Sequence, residues 1–249
     1  CEACRHGDYG YCEHISFTYR NGTAPMADYV VVKAACVYEL PDDLSYETGA
    51  LIEPLSVATH AVRRAQIQLG ETVLILGAGA IGMMTAAMCR RSGAAQVIVA
   101  DLSDSRLEMA LQMGATVAIN SGRTDLEQEV ARLTGGKGVE VAIDCSGSSI
   151  GRHRCLEVAR MWGNVVFLGE QGTVTFEPSP LLLHKNLTLH GSWVTSVANM
   201  EKLVELLDRK KIHPSQIITY RFPLRETDKA FEIFATGKTG KVCVCHEME

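Results

Sequence analysis

Three cysteines stand within the first twelve residues, in the stretch CEACRHGDYGYC. Cys1, Cys4 and Cys12 follow the spacing C-x2-C-x7-C. Thiolate sulfur is a preferred ligand of zinc, and cysteines gathered in one short loop are typical of a metal lobe. A closed structural zinc site takes four ligands, so this segment predicts three of them. The alternative is a loop of three thiols that holds no metal.

A second stretch, LILGAGAIGMM, carries the residue types that bind a diphosphate. Gly77, Gly79 and Gly82 form the pattern G-x-G-x-x-G between a predicted strand and a predicted helix. The first glycine permits a tight turn, the second lets the backbone approach a pyrophosphate, and the third lets helix and strand pack closely. The start of the helix adds free N–H groups and the positive end of the helix dipole. The pattern therefore predicts a dinucleotide-binding loop.

An acidic residue, Asp101, closes the next predicted strand. Its carboxylate can accept both hydroxyl hydrogens of an adenosine ribose, and it would repel a 2′-phosphate, which favours NAD over NADP. Arg106, one helical turn onward, could reach the ribose or adenine, or instead tolerate a phosphate. Two other interpretations stay open. One is a tight strand–helix turn without a ligand, and the other is a methyltransferase that uses S-adenosylmethionine and shares these features.

The elements that must position these residues alternate along the middle of the chain. Short apolar runs predict six strands, several of them too apolar to have a face in water, which is typical of a parallel sheet covered on both sides. The runs are TVLILG (72–77), QVIVAD (96–101), TVAIN (116–120), VEVAIDCSG (139–147), NVVFLG (164–169) and LTLHGSW (187–193). Strand and helix alternation over this length predicts an α/β fold with a doubly wound parallel sheet.

Helical patterns fall between these runs. SDSRLEMALQMG starts with a serine cap and places Leu107, Ala110 and Leu111 on one face. TDLEQEVARLTGG begins with a capping box from Thr124 to Glu127. Further helices are predicted in the segments GAIGMMTAAMCRRSG and NMEKLVELLDRKK.

The two flanks of the chain differ from the middle. Residues 13–48 contain an alternating segment, ADYVVVKAACVYELP, in which we expect no helix. The last segment reads strand, helix, strand, and Ala230, Phe231 and Phe234 give that helix an apolar face. The flanks are therefore expected to pack as a separate part.

Composition excludes several classes of protein. The chain has 249 residues and a net charge of −5, with no basic run, so nucleic acid and anionic membranes are poor partners. The uncharged stretch 72–89 has the length of a short membrane helix, but it contains three glycines and its first half is strand-like. The nine cysteines, mostly in apolar surroundings, indicate reduced thiols and a cytoplasmic protein.

These motifs together resemble the zinc-containing medium-chain alcohol dehydrogenases, in particular the sorbitol (polyol) dehydrogenase-like members. The resemblance rests on CEACRHGDYGYC, ALIEPLSVATHAVRRA, VLILGAGAIGMM, VIVADLSDSRLEMA, GVEVAIDCSG and RFPLRETDKAFEIFATGKTGKV. It implies a Rossmann domain for NAD over residues 49–212. Residues 1–48 and 213–249 would be part of a GroES-like, mainly β catalytic domain whose N-terminal part is missing.

The resemblance also implies two zinc sites. The family's structural lobe has one more cysteine, three residues before Cys1. Its catalytic zinc is held by a Cys and a His with no counterpart in this sequence, and Glu53 matches the position of a further ligand or supporting carboxylate. A carboxylate that only favours the helix start is the alternative for Glu53.

Residues near the nicotinamide are implied at the ends of the last two strands of the sheet. Matching positions are the three that follow the fifth strand, the three that follow the sixth, and one in the glycine loop whose backbone would touch the pyrophosphate. They are Leu168, Gly169, Glu170, Ser192, Trp193, Val194 and Ile81. Ordinary packing is the alternative for Trp193.

The implied activity is hydride transfer between a secondary alcohol or polyol and NAD, with zinc as a Lewis acid in the intact enzyme. Val194 stands where polyol-oxidising relatives often carry Arg, which argues against sorbitol itself. A homodimer or homotetramer is implied, and this chain alone is expected to be inactive. A zinc-independent reductase or a non-catalytic NAD-binding module of the same superfamily is the alternative.

Overall fold

The structure is a computed structural model that describes residues 1–15, 26–209 and 212–246. Its contacts define two compact units, Val57–Trp193 and the combination of Cys1–Ser56 with Val194–Glu249. We call them the sheet unit and the flanking unit. The sheet unit is narrower at both ends than the predicted cofactor domain of 49–212.

The sheet unit is built on six parallel strands, in the order β3-β2-β1-β4-β5-β6. Their bounds are β1 Thr72–Leu76, β2 Gln96–Asp101, β3 Val117–Asn120, β4 Val139–Asp144, β5 Ala159–Phe167 and β6 Thr188–Gly191. All six predicted strands are present, and the predicted doubly wound α/β fold is confirmed. The order reverses direction between β1 and β4, the place where open α/β sheets bind ligands.

The central strands are buried on both faces because helices cover both sides of the sheet. Val73, Leu74 and Ile75 in β1 and Ile98 in β2 have no exposed surface. Each fully buried Leu or Ile contributes roughly 1.5–3 kcal/mol relative to an exposed one. The continuous apolar runs thus follow from a position in which neither face meets water.

The three helices predicted between the strands at 79–93, 103–114 and 124–136 are present, and a further helix between β4 and β5 is one that the sequence patterns did not predict. The helices of the sheet unit are α3 Ile52–Ala65, which starts just before the unit, α4 Ala80–Arg91, α5 Asp104–Gln112, α6 Leu126–Leu133 and α7 Ser149–Val158, with a π-helical turn at Ser179–Leu183. The stretch 72–89 forms β1 and most of α4. No described helix is both long and apolar enough to cross a bilayer.

Two details of the predicted helices are wrong. Leu107 and Ala110 are buried, but Leu111 is 45% exposed, because the stripe that faces the sheet is narrower than the pattern suggests. Leu111 lies about 100° round the helix from Ala110. The start of α6 is capped by Asp125, whose carboxylate accepts the Gln128 N–H at 3.0 Å, so the cap lies one residue after Thr124.

The flanking unit contains short elements and a second, small sheet. Its elements are α1 Glu2–Arg5, α2 Tyr46–Gly49, α8 Val197–Arg209, β7 Ile218–Pro223, α9 Thr227–Ala235 and β8 Lys241–Cys245. β7 and β8 pair in parallel, which confirms the predicted strand, helix and strand. The predicted end of α8 at residues 210–211 lies outside the described residues.

Apolar side chains of the flanking unit are less buried than the sequence predicts. Ala230 is buried in α9, but more than half of the surface of both Phe231 and Phe234 is exposed, so the predicted apolar face is wrong. The small two-stranded sheet offers α9 room to bury one small residue there. In the alternating segment, Val31 is 78% exposed, and the described backbone forms a 3-10 turn at Ala34–Cys36.

Candidate functional site

The glycine loop is a tight turn that leaves β1 between its two neighbouring strands. Gly77 has φ +98°, a conformation that side chains rarely adopt, and its N–H donates to Ala100 O at 2.8 Å. On the other side, Cys145 N–H donates to Leu76 O at 2.8 Å. The loop is therefore fixed to the ends of both β2 and β4.

The other two glycines differ in what surrounds them. A Cβ on Gly82 would lie closer than 3.0 Å to the Gly77 carbonyl oxygen, so only glycine fits between the turn and α4. A Cβ on Gly79 would meet nothing within 4 Å, so that backbone faces open space. Gly79 is also the N-cap of α4 and gives the helix no side-chain cap. The open backbone and the amides of Ala80 and Ile81 at the helix start form a cradle suited to a diphosphate.

Asp101 is held rigidly beside this cradle. One carboxylate oxygen accepts Ala78 N–H at 2.6 Å, and the other accepts Ser103 N–H at 2.9 Å. Each oxygen keeps a further lone pair, so the carboxylate can still accept hydroxyl hydrogens. The structure thus brings five predicted residues together at the carboxyl end of the sheet: Gly77, Gly79, Ile81, Gly82 and Asp101. Arg106 is half-buried on the first turn of α5.

The residues after β5 form a turn that is fastened to β4. Leu168 N–H and Gly169 N–H both donate to the Asp144 carbonyl, at 3.0 and 2.9 Å. Leu168 is buried, Gly169 is half-buried and Glu170 is exposed. The turn therefore presents backbone and the Glu170 side chain at the carboxyl end of the sheet.

The residues after β6 lie beside that turn. Ser192 N–H donates to Phe167 O at 3.0 Å, and Ser192 is buried. Its hydroxyl is buried without a hydrogen-bond partner among the described residues, which is costly unless a ligand or water completes it. Trp193 is about half exposed. Val194 has φ +43° and begins the second segment of the flanking unit.

A buried ion pair at the end of β4 escaped the sequence analysis. Asp144 has no exposed surface, and its Oδ2 lies 3.4 Å from Nε of Arg152 in α7. Arg152 also donates from its terminal nitrogen to the Gly169 carbonyl at 2.7 Å. An acid directly after the buried apolar residues 141–143 is the signal that could have revealed it, since a buried carboxylate needs a partner.

The three N-terminal cysteines come together as predicted from their spacing. Their sulfurs all lie within 4.8 Å of one another, and those of Cys1 and Cys12 are 4.0 Å apart. Tetrahedral zinc with bonds of about 2.3 Å places neighbouring sulfurs about 3.8 Å apart, so the cluster fits three corners of such a site. The hydrogen bond with the Cys12 thiol raises the pKa of Cys4.

Glu53 stands in the first turn of α3. Desolvation by the surrounding protein raises the pKa of its carboxyl, against the opposing effect of Lys241, although Glu53 as a whole residue is exposed. Among the described residues, the cysteine cluster is the one group of three or more ligand side chains close enough to share a metal. Glu53 lies outside that cluster.

Comparison with known proteins places this geometry in a family. A family model described as "Zinc-binding dehydrogenase" matches residues 80–209, just over half of the chain. The chain is 39% identical to the uncharacterized zinc-type alcohol dehydrogenase-like protein YphC of Escherichia coli (strain K12), over 88% of this chain and 62% of that protein.

Two further relatives have named activities. L-threonine 3-dehydrogenase of Anaeromyxobacter dehalogenans (strain 2CP-C) is 32% identical, over 97% of this chain and 70% of that protein. Sorbitol dehydrogenase of Homo sapiens is 34% identical, over 95% of this chain and 67% of that protein. The chain spans about two thirds of the length of the curated relatives it matches.

Solved structures agree in fold. Zinc dependent alcohol dehydrogenase 2 from Streptococcus pneumonia superimposes with a TM-score of 0.88 at 29% identity, over 100% of this chain and 73% of that one. A protein of Sinorhizobium meliloti 1021, described as a zinc-binding dehydrogenase and bound to NADP, superimposes with a TM-score of 0.87 at 27% identity, over 98% of this chain and 73% of that one.

Proposed function

The chain belongs to the zinc-binding dehydrogenase family, and from this premise we propose that it binds NAD and supplies the cofactor-binding part of an alcohol or polyol dehydrogenase. In this proposal residues 49–212 form the NAD-binding Rossmann domain. Residues 1–48 and 213–249 form part of a GroES-like catalytic domain. The observation that carries the proposal is the open backbone cradle at Gly79 beside the fixed carboxylate of Asp101.

The cradle would hold the diphosphate and Asp101 the adenosine ribose. Amides at the start of α4 would donate to the phosphate oxygens, and the helix dipole would favour their charge. The carboxylate of Asp101 would repel a 2′-phosphate, so we propose NAD as the preferred cofactor. A related structure is bound to NADP. For this chain, we propose that Arg106 is the residue that would contact the 2′-phosphate of NADP.

The nicotinamide half would lie at the ends of β5 and β6. Leu168, Gly169 and Glu170 would border it on one side. The buried Ser192 hydroxyl has no partner among the described residues, and it would hydrogen-bond the carboxamide. Trp193 and Val194 would complete the site. When bound there, NAD supplies the hydride acceptor, and the chain's task is to orient the ring and exclude water from it.

Zinc is proposed at the cysteine cluster, where three sulfurs fit a structural site. A fourth ligand would have to come from outside the described residues. The proposed role of Glu53 near a catalytic metal also needs ligands from outside them.

Secondary alcohols, diols or polyols are the proposed substrate class, since named relatives act on sorbitol and on L-threonine, which carries a secondary alcohol. Val194 in place of an arginine argues against sorbitol itself. We propose a homodimer or homotetramer in the cytoplasm, with the whole protein's activity depending on more than this chain.

Calorimetric titration with NAD, NADP and S-adenosylmethionine tests the proposal. We expect NAD to bind most tightly of the three. Asp101→Asn should raise the dissociation constant of NAD at least about tenfold, or about 1.4 kcal/mol. It should also reduce the difference in affinity between NAD and NADP. Glu108→Gln on the exposed side of α5 makes the same charge change and should leave the affinity unchanged. Unchanged NAD affinity in Asp101→Asn would refute the proposed site, and binding of S-adenosylmethionine alone would favour a methyltransferase.

Elemental analysis of the purified chain tests the zinc lobe separately. We expect one zinc per chain, lost in Cys4→Ser. A content below about half a zinc per chain would reject a stable site, since three sulfurs would then be too few to hold the ion.

A further inference from the structure

The Asp144–Arg152 ion pair lies at the place where the loops after β4 and β5 meet. Asp144 is wholly buried, and the side chain of Arg152 is 11% exposed. The Asp144 carboxylate also accepts Ser146 N–H at 3.0 Å, Ser146 Oγ–H at 2.6 Å and Gly147 N–H at 3.2 Å. A carboxylate that accepts this many hydrogen bonds fixes the backbone that donates them. The acid therefore organises the loop after β4.

Arg152 connects that loop to the next one. Its Nε is 3.4 Å from Asp144, and its terminal nitrogen donates to the Gly169 carbonyl at 2.7 Å. The guanidinium carbon lies 5.8 Å from the centre of the Phe167 ring. One planar group thus touches β4, the end of β5 and the turn that follows it. A lysine could not do the same, because its ammonium is a point donor on a flexible stem.

The loops after β4 and β5 contact each other through their backbones, so the position of one depends on that of the other. A Cβ on Gly147 would overlap the Glu170 carbonyl oxygen, and a Cβ on Gly169 would overlap Gly147 N. Since no side chain separates the two loops, the Gly169 carbonyl has little freedom once Arg152 holds it. The turn at 168–170 is therefore held by its backbone hydrogen bonds to Asp144 and by Arg152 in α7, and not by its own side chains.

We propose that Arg152, anchored by Asp144, is a positioning residue that sets the turn at 168–170 for the nicotinamide half of the bound cofactor. The inference rests on the proposed function, because it needs NAD in the crevice. It goes further by assigning the control of one half of that ligand to a buried side chain that does not touch it. The adenosine half depends on Asp101 and the glycine loop and does not need Arg152.

The test compares two ligands that share the adenosine and diphosphate groups, NAD and ADP-ribose. Calorimetry on the wild-type chain should show tighter binding of NAD. In Arg152→Met the dissociation constant of ADP-ribose divided by that of NAD should fall about tenfold, toward one. The dissociation constant of ADP-ribose itself should change by less than about twofold. Arg152→Lys keeps the charge beside Asp144 and should give an intermediate ratio; it also serves if Arg152→Met does not fold.

Arg154→Met is the matched control. Arg154 lies on the same helix and pairs with Glu127 at 3.1 Å, away from the two loops. It should leave both affinities unchanged. Equal affinities of the two ligands in the wild type, an unchanged ratio in the Arg152 variants, or a parallel loss for both ligands would overturn the inference. A wild-type chain that binds neither ligand would instead overturn the proposed function, and the inference with it.

Discussion

The sheet unit and the flanking unit hold their candidate sites in different ways. The glycine loop is fixed by backbone hydrogen bonds to β2 and β4, and behind it lie strands whose central residues have no exposed surface. The cysteine cluster is held by the four-residue helix α1 and the turn that follows it, in which no residue is buried. One site is therefore shaped by a core, and the other by local turns and the ligands themselves.

This contrast indicates which of the two sites is preformed without its ligand. A cradle of main-chain amides behind a packed core keeps its form without a nucleotide, so little ordering is needed on binding. A lobe of partly exposed thiols gains most of its order from the metal, as in small zinc modules. Substitutions in the sheet unit should therefore lower the free energy of unfolding strongly, and equivalent substitutions in the flanking unit should lower it only slightly.

The largest expected effect is that of Gly82→Ala. Glycine to alanine within a helix normally stabilises by about 0.5–1 kcal/mol. Here the added Cβ would lie closer than 3.0 Å to the Gly77 carbonyl oxygen, so α4 or the turn must shift. We expect a loss of about 3 kcal/mol or more in the free energy of unfolding.

Urea denaturation followed by tryptophan fluorescence measures this loss. Trp162 and Trp193 are the chain's two tryptophans, and both lie in the sheet unit. Gly79→Ala is the control, because its Cβ meets nothing within 4 Å, and it should change stability by less than about 1 kcal/mol. Equal effects of the two substitutions would contradict the packing that we describe for the glycine loop.

A pair of truncations compares the two units directly. Leu74→Ala removes a side chain with no exposed surface from β1 and should lower the free energy of unfolding by about 2–5 kcal/mol. Val31→Ala in the flanking unit truncates a residue that is 78% exposed, and should change the free energy of unfolding by no more than about 0.5 kcal/mol. Circular dichroism during urea denaturation reports on both. A large loss in Val31→Ala would show that this segment is buried in solution.

The same contrast explains which parts of the fold could be predicted from sequence. A strand buried on both faces has to be mainly apolar, so the central strands β1, β2 and β4 could be predicted from their composition. The edge strands β3 and β6 are mostly half-buried or exposed, and the alternation of strands and helices predicted them. Phe231 and Phe234 were also predicted to lie on a buried face, but among the described residues the flanking unit has no surface large enough to bury them. Periodicity reports what a helix could bury, and tertiary packing decides what it does bury.

The candidate site divides in a similar way. The glycine loop and Asp101 could be predicted because each residue has a local conformational or chemical reason for its type. Arg152 could not, because its contacts join α7 to a turn far along the chain. The spacing of residues in the sequence does not indicate a contact that depends on how two loops pack.

The smallest expected effect concerns two helix caps with the same geometry in different units. Asp125 Oδ1 accepts Gln128 N–H at 3.0 Å at the start of α6, and Ser45 Oγ accepts Thr48 N–H at 3.2 Å at the start of α2. Asp125→Ala should lower the free energy of unfolding by about 1 kcal/mol, because α6 buries Leu126 in the core and the cap contributes to that packing.

Ser45→Ala should lower it by about 0.5 kcal/mol or less, since α2 is four residues long and buries none of them. Thr124→Ala, at the position where the sequence pattern places the cap of α6, should have no measurable effect. Hydrogen exchange of the Gln128 and Thr48 amides separates the local contribution of each cap from global unfolding. If loss of the serine cap proved as costly as loss of the aspartate cap, α2 would be coupled to a core as firmly as α6 is, and the two units would not differ in the way their elements are held.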